Sequence, residues 1–324
     1  MSKAIYRARQ PAKGGQVKNI FNVAYRQPAK NITADEAGLP KPPISPKKIR
    51  QGDYLWSEIA TKAREQRIRI RKIITDLDAS SDQHSNSVDL DNPLPRAVDK
   101  LSDPSVEHTL AFPFVGFEVS NRFRVKYTER NWRYVGRTKF KELVERLKLV
   151  RDSEDTRAIW LYGTQGYGKS HLLAALVCYL AAQDERVVYI PDCRSWLLDP
   201  LKYVQAAMLF AWADDINAQN EIMTLKTRDE IDNFLQNSDV IFVVDQMNAL
   251  KTSNNPIEGN KRSDLSSWLG RFTSRRKSVY SSSANDTNFH EASIKQNMNF
   301  VLPVYGGFSK VSHLKIYVAM RLLT

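Results

Sequence analysis

The segment GTQGYGKS at residues 163 to 170 constrains the fold of this chain more than any other feature of its sequence. Glycine, four residues, then Gly-Lys-Ser is the signature of a phosphate-binding loop. An apolar, strand-like run at 157–162 precedes it, and an apolar helical pattern at 169–183 follows it. Strand, loop and helix in this order aim backbone N–H groups and a helix N-terminus at phosphate oxygens. The sequence therefore predicts a nucleotide site; the alternative is a glycine-rich turn that carries a surface lysine.

The loop residues have separate predicted roles. We expect Lys169 to reach the β- and γ-phosphates and the Ser170 hydroxyl to hold Mg²⁺. Guanine specificity would require Asn-Lys-x-Asp, which the segment 260–263 misses by one residue, so ATP and Mg²⁺ are the predicted cofactors. The residues predicted to contact the nucleotide are Gly163, Thr164, Gln165, Gly166, Tyr167, Gly168, Lys169, Ser170, His171 and Arg137.

A second acidic group is needed to organise the metal, and Asp245 stands directly after the apolar run VIFVV. We assign Asp245 to Mg²⁺ as the Walker B aspartate, together with Ser170. Gln246 follows, where many ATPases of this kind carry a glutamate that polarises the attacking water. A glutamine orients water but accepts a proton poorly. Slow turnover is therefore expected, and Gln246→Glu is expected to raise it.

Further polar residues are candidates for the same site. Asn285, after the strand-like run 278–282, is assigned to the γ-phosphate or the water, with a turn asparagine as the alternative. The segment YVGR at 134–137 resembles a segment near the adenine in signal-transducing and replication-initiator ATPases, which gives Arg137 its predicted base contact. An arginine finger for this chain or a neighbour, or simply a cationic helix end, would account for Arg271, Arg275 and Arg276. The predicted catalytic residues are Lys169, Asp245, Gln246 and Asn285.

The chain divides into segments of different composition. Six prolines and few large apolar side chains indicate disorder over the first fifty residues. Apolar strands alternate with helical patterns further along, which predicts an α/β three-layer fold with a mostly parallel five-stranded sheet. A polar insertion is predicted at 251–262. The predicted organisation is a basic leader at 1–50, a helix at 51–78, a polar linker at 79–113, a P-loop NTPase domain at 114–310 and a tail at 311–324.

Positive charge is concentrated in the leader, where eleven basic residues face Asp35 and Glu36, so it holds +9 of the net charge of +12. A second basic stretch lies at 62–72. Both suit contact with DNA or another nucleic acid, and a solvated tail and helix are the alternative. Two cysteines and five scattered histidines form neither a disulfide framework nor a zinc ligand set. No run approaches the roughly 18 to 20 apolar residues of a membrane span, so no membrane partner is predicted.

The location of the protein has two interpretations. The segment PKKIR at 46–50 resembles a nuclear import signal, which predicts a nucleus or a host cell nucleus. The absence of acidic residues before Asp35 would also suit a mitochondrial leader, and the cytoplasm is a further alternative.

Several longer strings resemble the P-loop ATPase module of Crinkler-type proteins, particularly those of fungi. They are WLYGTQGYGKSHLLAALVCYLAAQ, RVVYIPDCR, AMLFAWADD, VIFVVDQMNAL, SSSAN and VYGGFS, within residues 120 to 308. The resemblance implies an ATPase with an extra strand between the phosphate-loop strand and the Walker B strand, acting on DNA or chromatin, often as an effector directed to a host nucleus with a host protein partner. Family members continue into a helical lid after the segment at 306–309, whereas this sequence ends at Thr324, so we expect a truncated or altered tail at 311–324.

Two functions follow from these observations. The first is a slowly hydrolysing ATPase that acts as a nucleotide-dependent switch in a Crinkler-like effector or a protein derived from a mobile element, with a basic arm for nucleic acid. The second is a truncated interaction protein that binds nucleotide without useful turnover. Intact Lys169, Ser170 and Asp245 favour the first, whereas Gln246 and the short C-terminus favour the second. The oligomeric state stays open.

Overall fold

The computed structural model describes residues 56–79, 95–123, 125, 130–153, 158–163, 165–236, 238–251, 255–273, 276–283 and 300–304. The predicted leader at 1–50 and tail at 311–324 lie outside the described residues. The helices are α1 (Trp56–Ala79), α2 (Arg96–Ser102), α3 (Lys139–Asp152), α4 (Lys169–Ala182), α5 (Cys193–Trp196), α6 (Pro200–Ala211), α7 (Ile216–Thr224), α8 (Arg228–Gln236) and α9 (Pro256–Thr273). The strands are β1 (Glu107–Ala111), β2 (Asn131–Val135), β3 (Ala158–Gly163), β4 (Val187–Ile190), β5 (Ile241–Val244), β6 (Ser278–Ser283) and β7 (Phe300–Pro303).

Five strands form one parallel sheet in the order β4-β5-β6-β3-β7. The strand β6 therefore lies between β3, which leads into the phosphate loop, and β5, which leads into Asp245. This order confirms the predicted α/β P-loop NTPase fold with an extra strand between those two strands. Because parallel strands end at the same edge of a sheet, the loop and the aspartate are brought to one crevice.

Helices cover both faces of this sheet. Tyr189 of β4 lies on the face of the sheet that α4 covers, close enough to Cys178 of α4 for the thiol to raise the pKa of the tyrosine. Phe242 of β5, in register with Val188, faces the other way and packs on Phe272 of α9, with ring centroids 5.0 Å apart. The helix α4 is apolar all round because it is buried between the sheet on one side and α1 and α3 on the other. These contacts confirm the predicted three layers.

The basic helix α1 is part of the folded core. It packs on α4 and α6, and Ile59, Ile70 and Ile74 are buried there. Its buried Gln66 donates to the carbonyl oxygens of Phe112 and Arg130 at 3.0 and 3.2 Å. Arg67 donates to the carbonyl oxygens of Ala211 and Glu185 at 3.2 and 3.1 Å. These bonds satisfy backbone groups of other elements, so α1 belongs to the same compact unit as the sheet.

Two predicted boundaries differ from the structure. Part of the predicted linker at 79–113 is folded: α2 packs on α1 and α3, and β1 pairs antiparallel with β2. Part of the predicted polar insertion at 251–262 is the first half of α9, which begins at Pro256. Its residues are mostly exposed there, and Ile257 is 84% exposed, so the apolar periodicity that would indicate a helix is missing.

Among the described residues, no helix has both the length and the apolar character needed to cross a membrane.

Candidate nucleotide-binding site

The phosphate loop joins the end of β3 to the start of α4. Gly166 and Gly168 have φ values of 90° and 76°, in the left-handed region that residues with a side chain rarely adopt. A Cβ at Gly163 would lie 2.1 Å from the carbonyl oxygen of Val304, so the close approach of β7 also requires glycine there. A Cβ at Gly166 would meet no atom within 4 Å, so the space beside this glycine is open. Left-handed glycines in such a loop let backbone N–H groups point at a phosphate group.

Lys169 lies across the base of the loop. Its Nζ atom donates to the carbonyl oxygen of Gly163 at 2.6 Å, and the side chain is buried yet lines a cavity. Burial lowers the pKa of the ammonium group, whereas the charge of Asp245 raises it. The two predicted charged groups of the site are therefore close enough to interact.

Asp245 is almost fully buried, at 1% exposure, at the carboxyl end of β5. Its Oδ1 atom accepts hydrogen bonds from the backbone N–H of Gln246 at 2.9 Å and from the hydroxyl of Ser281. The hydroxyl of Ser170 lies close enough to this carboxylate to lower its pKa. Burial raises the pKa of Asp245, and Arg122 and the two hydroxyls oppose that rise. The predicted metal pair, Ser170 and Asp245, is thus brought together, and its hard oxygen atoms suit Mg²⁺.

Arg122 is a residue of this site that the sequence analysis missed. It lies in a short 3-10 turn, Asn121–Phe123, before β2. Its guanidinium joins two carboxylates: Nη2 donates to Oδ2 of Asp245 at 3.1 Å, and Nη1 donates to Oδ2 of Asp192 at 3.2 Å. It also donates to the carbonyl oxygen of Pro191. Arg122 therefore links the ends of β4 and β5 through their acidic residues.

Gln246 faces this charge cluster. Its backbone has φ 63° and ψ 44°, a left-handed conformation that is uncommon for a residue with a side chain. The side-chain amide is oriented so that both of its polar atoms form hydrogen bonds. The nitrogen donates to Oδ1 of Asp192 at 3.1 Å, and the oxygen accepts from Arg122. Strained backbone of this kind concentrates at functional sites. Gln246 also lines the cavity beside the loop, and its role in orienting water stays a prediction.

The cavity beside the loop has a volume of about 540 Å³, a size typical of ligand sites. Of the described residues, five basic side chains line it and one acidic side chain does, so it favours an anion. The basic residues are Arg122, Arg133, Arg137, Lys169 and Arg194, and the acidic residue is Glu107. The predicted loop residues Gln165, Gly166, Gly168, Ser170 and His171 also line it.

Arg137 and His171 lie on the wall of this cavity. The Arg137 Nη1 atom donates to the carbonyl oxygen of Tyr167 at 3.0 Å, and a Cβ at Gly168 would lie 2.3 Å from Nη2 of Arg137. Arg137 therefore contacts the phosphate loop itself, and its base contact stays a prediction. His171 packs beside Phe123 and Trp132, with ring centroids 5.1 and 5.4 Å away.

Other candidates from the sequence lie elsewhere. Thr164, Asn285 and Arg275 fall outside the described residues. Arg271 pairs with Asp232 at 3.3 Å, and Arg276 donates to the carbonyl oxygens of Phe272 and Leu235. Both arginines lie where α9 leads into the start of β6, at the sheet edge opposite the loop. The hypothesis that either one acts on this chain's own site is therefore wrong; donation to a neighbour stays a prediction.

The missed residues Asp192 and Ser281 left only a weak trace in the sequence. Asp192 follows the apolar run of β4 as Asp245 follows β5, and ends of parallel strands meet at one edge. The position of Asp192 after an apolar strand could therefore have pointed to it. No such sequence signal points to Arg122, because it lies far from the loop in sequence and matches no motif.

His171 gives a pH-dependent prediction for stability. Burial lowers its pKa to about 4, helped by the charges of Arg137 and Arg122. The unfolded chain then binds more protons than the folded chain between its usual pKa of about 6.5 and pH 4, so stability falls as pH falls through that range. We expect the wild type to lose about 2 kcal/mol more than His171→Phe between pH 7 and pH 5. Denaturant unfolding at both pH values measures this; equal losses would contradict a neutral buried His171.

The contacts of Gln246 change the expectation for its replacement. A glutamate at this position would place one carboxylate oxygen on Arg122 and the other against Asp192, where the amide now donates. We therefore expect Gln246→Glu alone to gain little, and the double variant with Asp192→Asn to hydrolyse ATP faster than either single variant. Steady-state hydrolysis by the three variants tests this. A single Gln246→Glu variant as fast as the double variant would show that Asp192 does not limit residue 246.

No family model and no curated protein matches the chain. Among solved structures, the chain is similar to the crystal structure of a DNA replication initiation factor, with a TM-score of 0.34 and 14% identity. The match covers 56% of this chain and 50% of that one, so the chain spans about half the length of its structural neighbour. The fold assignment rests on the strand order and the loop geometry.

Proposed function

We propose that this chain is a P-loop ATPase that binds ATP with Mg²⁺ in the cavity beside β3 and α4 and hydrolyses it slowly. The observation that carries the proposal is the convergence of three parts at one sheet edge: the loop with its left-handed glycines, Lys169, and the neighbouring pair Ser170 and Asp245. A glycine turn, a buried lysine or a strand-end aspartate alone would not indicate a nucleotide site. Their spacing in this strand order is what phosphate binding requires.

The described residues have separate roles in this proposed reaction. The loop N–H groups and Lys169 would bind the phosphates, and Ser170 and Asp245 would hold Mg²⁺, which neutralises phosphate charge when bound. Gln246 would orient the attacking water through its amide. Oδ1 of Asp192 holds that amide in place by accepting a hydrogen bond from its nitrogen at 3.1 Å. Because no carboxylate takes the usual place of Gln246, proton transfer from water is the slow step.

Steady-state ATP hydrolysis by the full chain, with and without double-stranded DNA, tests the proposal. We expect turnover that depends on Mg²⁺ and is slow compared with the roughly 10 s⁻¹ median for enzymes. A folded chain that binds ATP without hydrolysing it would leave the second function, a nucleotide-binding interaction protein. A folded chain that binds no nucleotide would contradict both.

We further propose that the protein associates with nucleic acid and acts as a switch of the Crinkler type in a nucleus, either its own or that of a host cell. The support is the net charge of +9 in residues 1–50 and the sequence strings described above. The stretch at 62–72 supports it less, because its arginines are engaged within the fold. Arg64 bonds to Gln219, Arg69 to Asn131 and Arg71 to Asp184.

Deletion of residues 2–50 tests the basic arm and leaves α1 in place. We expect the full chain to bind DNA with an affinity that falls steeply with salt, and the deletion variant to bind at least about tenfold more weakly at low salt. Fluorescence anisotropy with labelled DNA at several salt concentrations measures both. Nucleotide binding by the deletion variant serves as the control for folding. Unchanged DNA affinity would contradict a role for the arm.

A further inference from the structure

Arg122 places a positive charge on the carboxylate that the proposed site assigns to the metal. Its Nη2 atom lies 3.1 Å from Oδ2 of Asp245, and that carboxylate is buried whereas the arginine side chain is 22% exposed and lines the cavity. A guanidinium in contact with a carboxylate neutralises it and occupies its lone pairs.

Hydrogen-bond donors from the described residues surround the carboxylate of Asp245. A carboxylate has about four lone-pair sites. Here three donors reach it in hydrogen bonds: the hydroxyl of Ser281, the N–H of Gln246, and Arg122. The hydroxyl of Ser170 lies close enough to lower the pKa of the same carboxylate. Ser281 and Gln246 belong to the sheet edge itself, and Ser170 is the hydroxyl assigned to the metal. Arg122 comes from a separate turn, so it is the donor whose departure disturbs the sheet least.

Arg122 would still have hydrogen-bond acceptors within reach if it left Asp245. Its Nη1 atom bonds to Asp192 at 3.2 Å, and Pro191 and Gln246 offer two further oxygen acceptors. Asp192 and Pro191 follow β4, one strand away from Asp245. The guanidinium therefore has a second anchored position and does not need to move into solvent.

We propose that Arg122 competes with Mg²⁺ for Asp245, so that metal binding requires its guanidinium to leave that carboxylate and remain on Asp192. The inference rests on the proposed nucleotide function. Arg122 is a positioning residue that sets how much Mg²⁺ the site needs. It keeps the buried carboxylate paired in the absence of metal, which avoids an uncompensated buried charge.

Binding of a fluorescent ADP analogue to the full chain over a range of Mg²⁺ concentrations tests this proposal. The measured quantity is the Mg²⁺ concentration that gives half of the metal-dependent gain in affinity. We expect Arg122→Gln to lower it roughly tenfold, because a unit charge in contact with the metal ligand is removed. Arg96→Gln is the matched control, since it removes an exposed arginine of α2 that does not line the cavity. We expect it to shift the value less than about twofold.

A second pair of variants keeps the test decisive. Arg122→Lys retains the charge and should stay near the wild-type value. The double variant Arg122→Gln with Asp192→Asn removes one charge of each sign, and it replaces Arg122→Gln if circular dichroism shows that the single variant is unfolded. An unchanged or higher Mg²⁺ requirement, or an equal shift with Arg96→Gln, would overturn the competition. Absence of any analogue binding by the wild type would instead contradict the proposed function.

Discussion

Replacing Lys169 with alanine is expected to reduce ATP hydrolysis by at least about a hundredfold, the scale seen when one charged or hydrogen-bonding group that stabilises a transition state is removed. The ammonium group lies 2.6 Å from the carbonyl oxygen of Gly163 and is close enough to Asp245 for that carboxylate to raise its pKa. A bound phosphate would accept the hydrogen bond of this ammonium group in place of the carbonyl oxygen of Gly163. Of the described loop residues, only Lys169 has a positively charged side chain. Steady-state hydrolysis at saturating Mg²⁺ measures the loss.

Lys148→Ala is the matched control for this substitution. Lys148 is exposed on α3 and is not among the residues that line the cavity. We expect its turnover to equal that of the wild type. If Lys169→Ala and Lys148→Ala hydrolyse ATP equally, the observed activity does not come from this loop.

Asp245→Asn is expected to have an effect of similar size through a different step. The amide keeps the size of the side chain but removes the negative charge, so Mg²⁺ would lose a ligand with its charge. We expect turnover to fall at least about a hundredfold, whereas nucleotide affinity measured without Mg²⁺ changes little. Parallel measurements of hydrolysis and of metal-free ADP binding separate the two effects.

Asp239→Asn is the control for Asp245→Asn. Asp239 is exposed and lies just before the other end of the same strand, so it tests a loss of acidic charge near β5 without a change in the site. Thermal unfolding of both variants shows whether the buried charge cluster still folds. A folded Asp245→Asn variant with full Mg²⁺-dependent turnover would contradict the assignment of the metal to this carboxylate.

The parts of the site that are local in sequence could be predicted. Loop, flanking strand and flanking helix are contiguous, and the sheet places Asp245 beside them because β5 is a short apolar run that ends at that residue. The extra strand between the phosphate-loop strand and the strand before Asp245 follows from the Crinkler-type resemblance, and the pairing of β6 with both β3 and β5 confirms it.

The parts that depend on distant packing could not be predicted. Arg122 reaches Asp245 because of the path of the chain between β1 and β2, to which no sequence pattern points. The helix α1 has the charge of a surface helix, yet Arg67 is buried at 3% exposure because two backbone carbonyl groups accept its hydrogen bonds. Charge patterns report composition, and only the tertiary partners show whether a basic residue faces solvent.

Nucleotide binding in the cavity beside the phosphate loop is the property on which the proposed function depends, and an equilibrium titration tests it most directly. A fluorescent ATP analogue is titrated with the full chain in the presence of Mg²⁺, beside Lys169→Ala. We predict saturable binding by the wild type, with a dissociation constant on the order of micromolar, and a large loss of affinity in the variant. No saturable binding by the folded wild type, or equal binding by Lys169→Ala, would contradict a nucleotide site in this cavity.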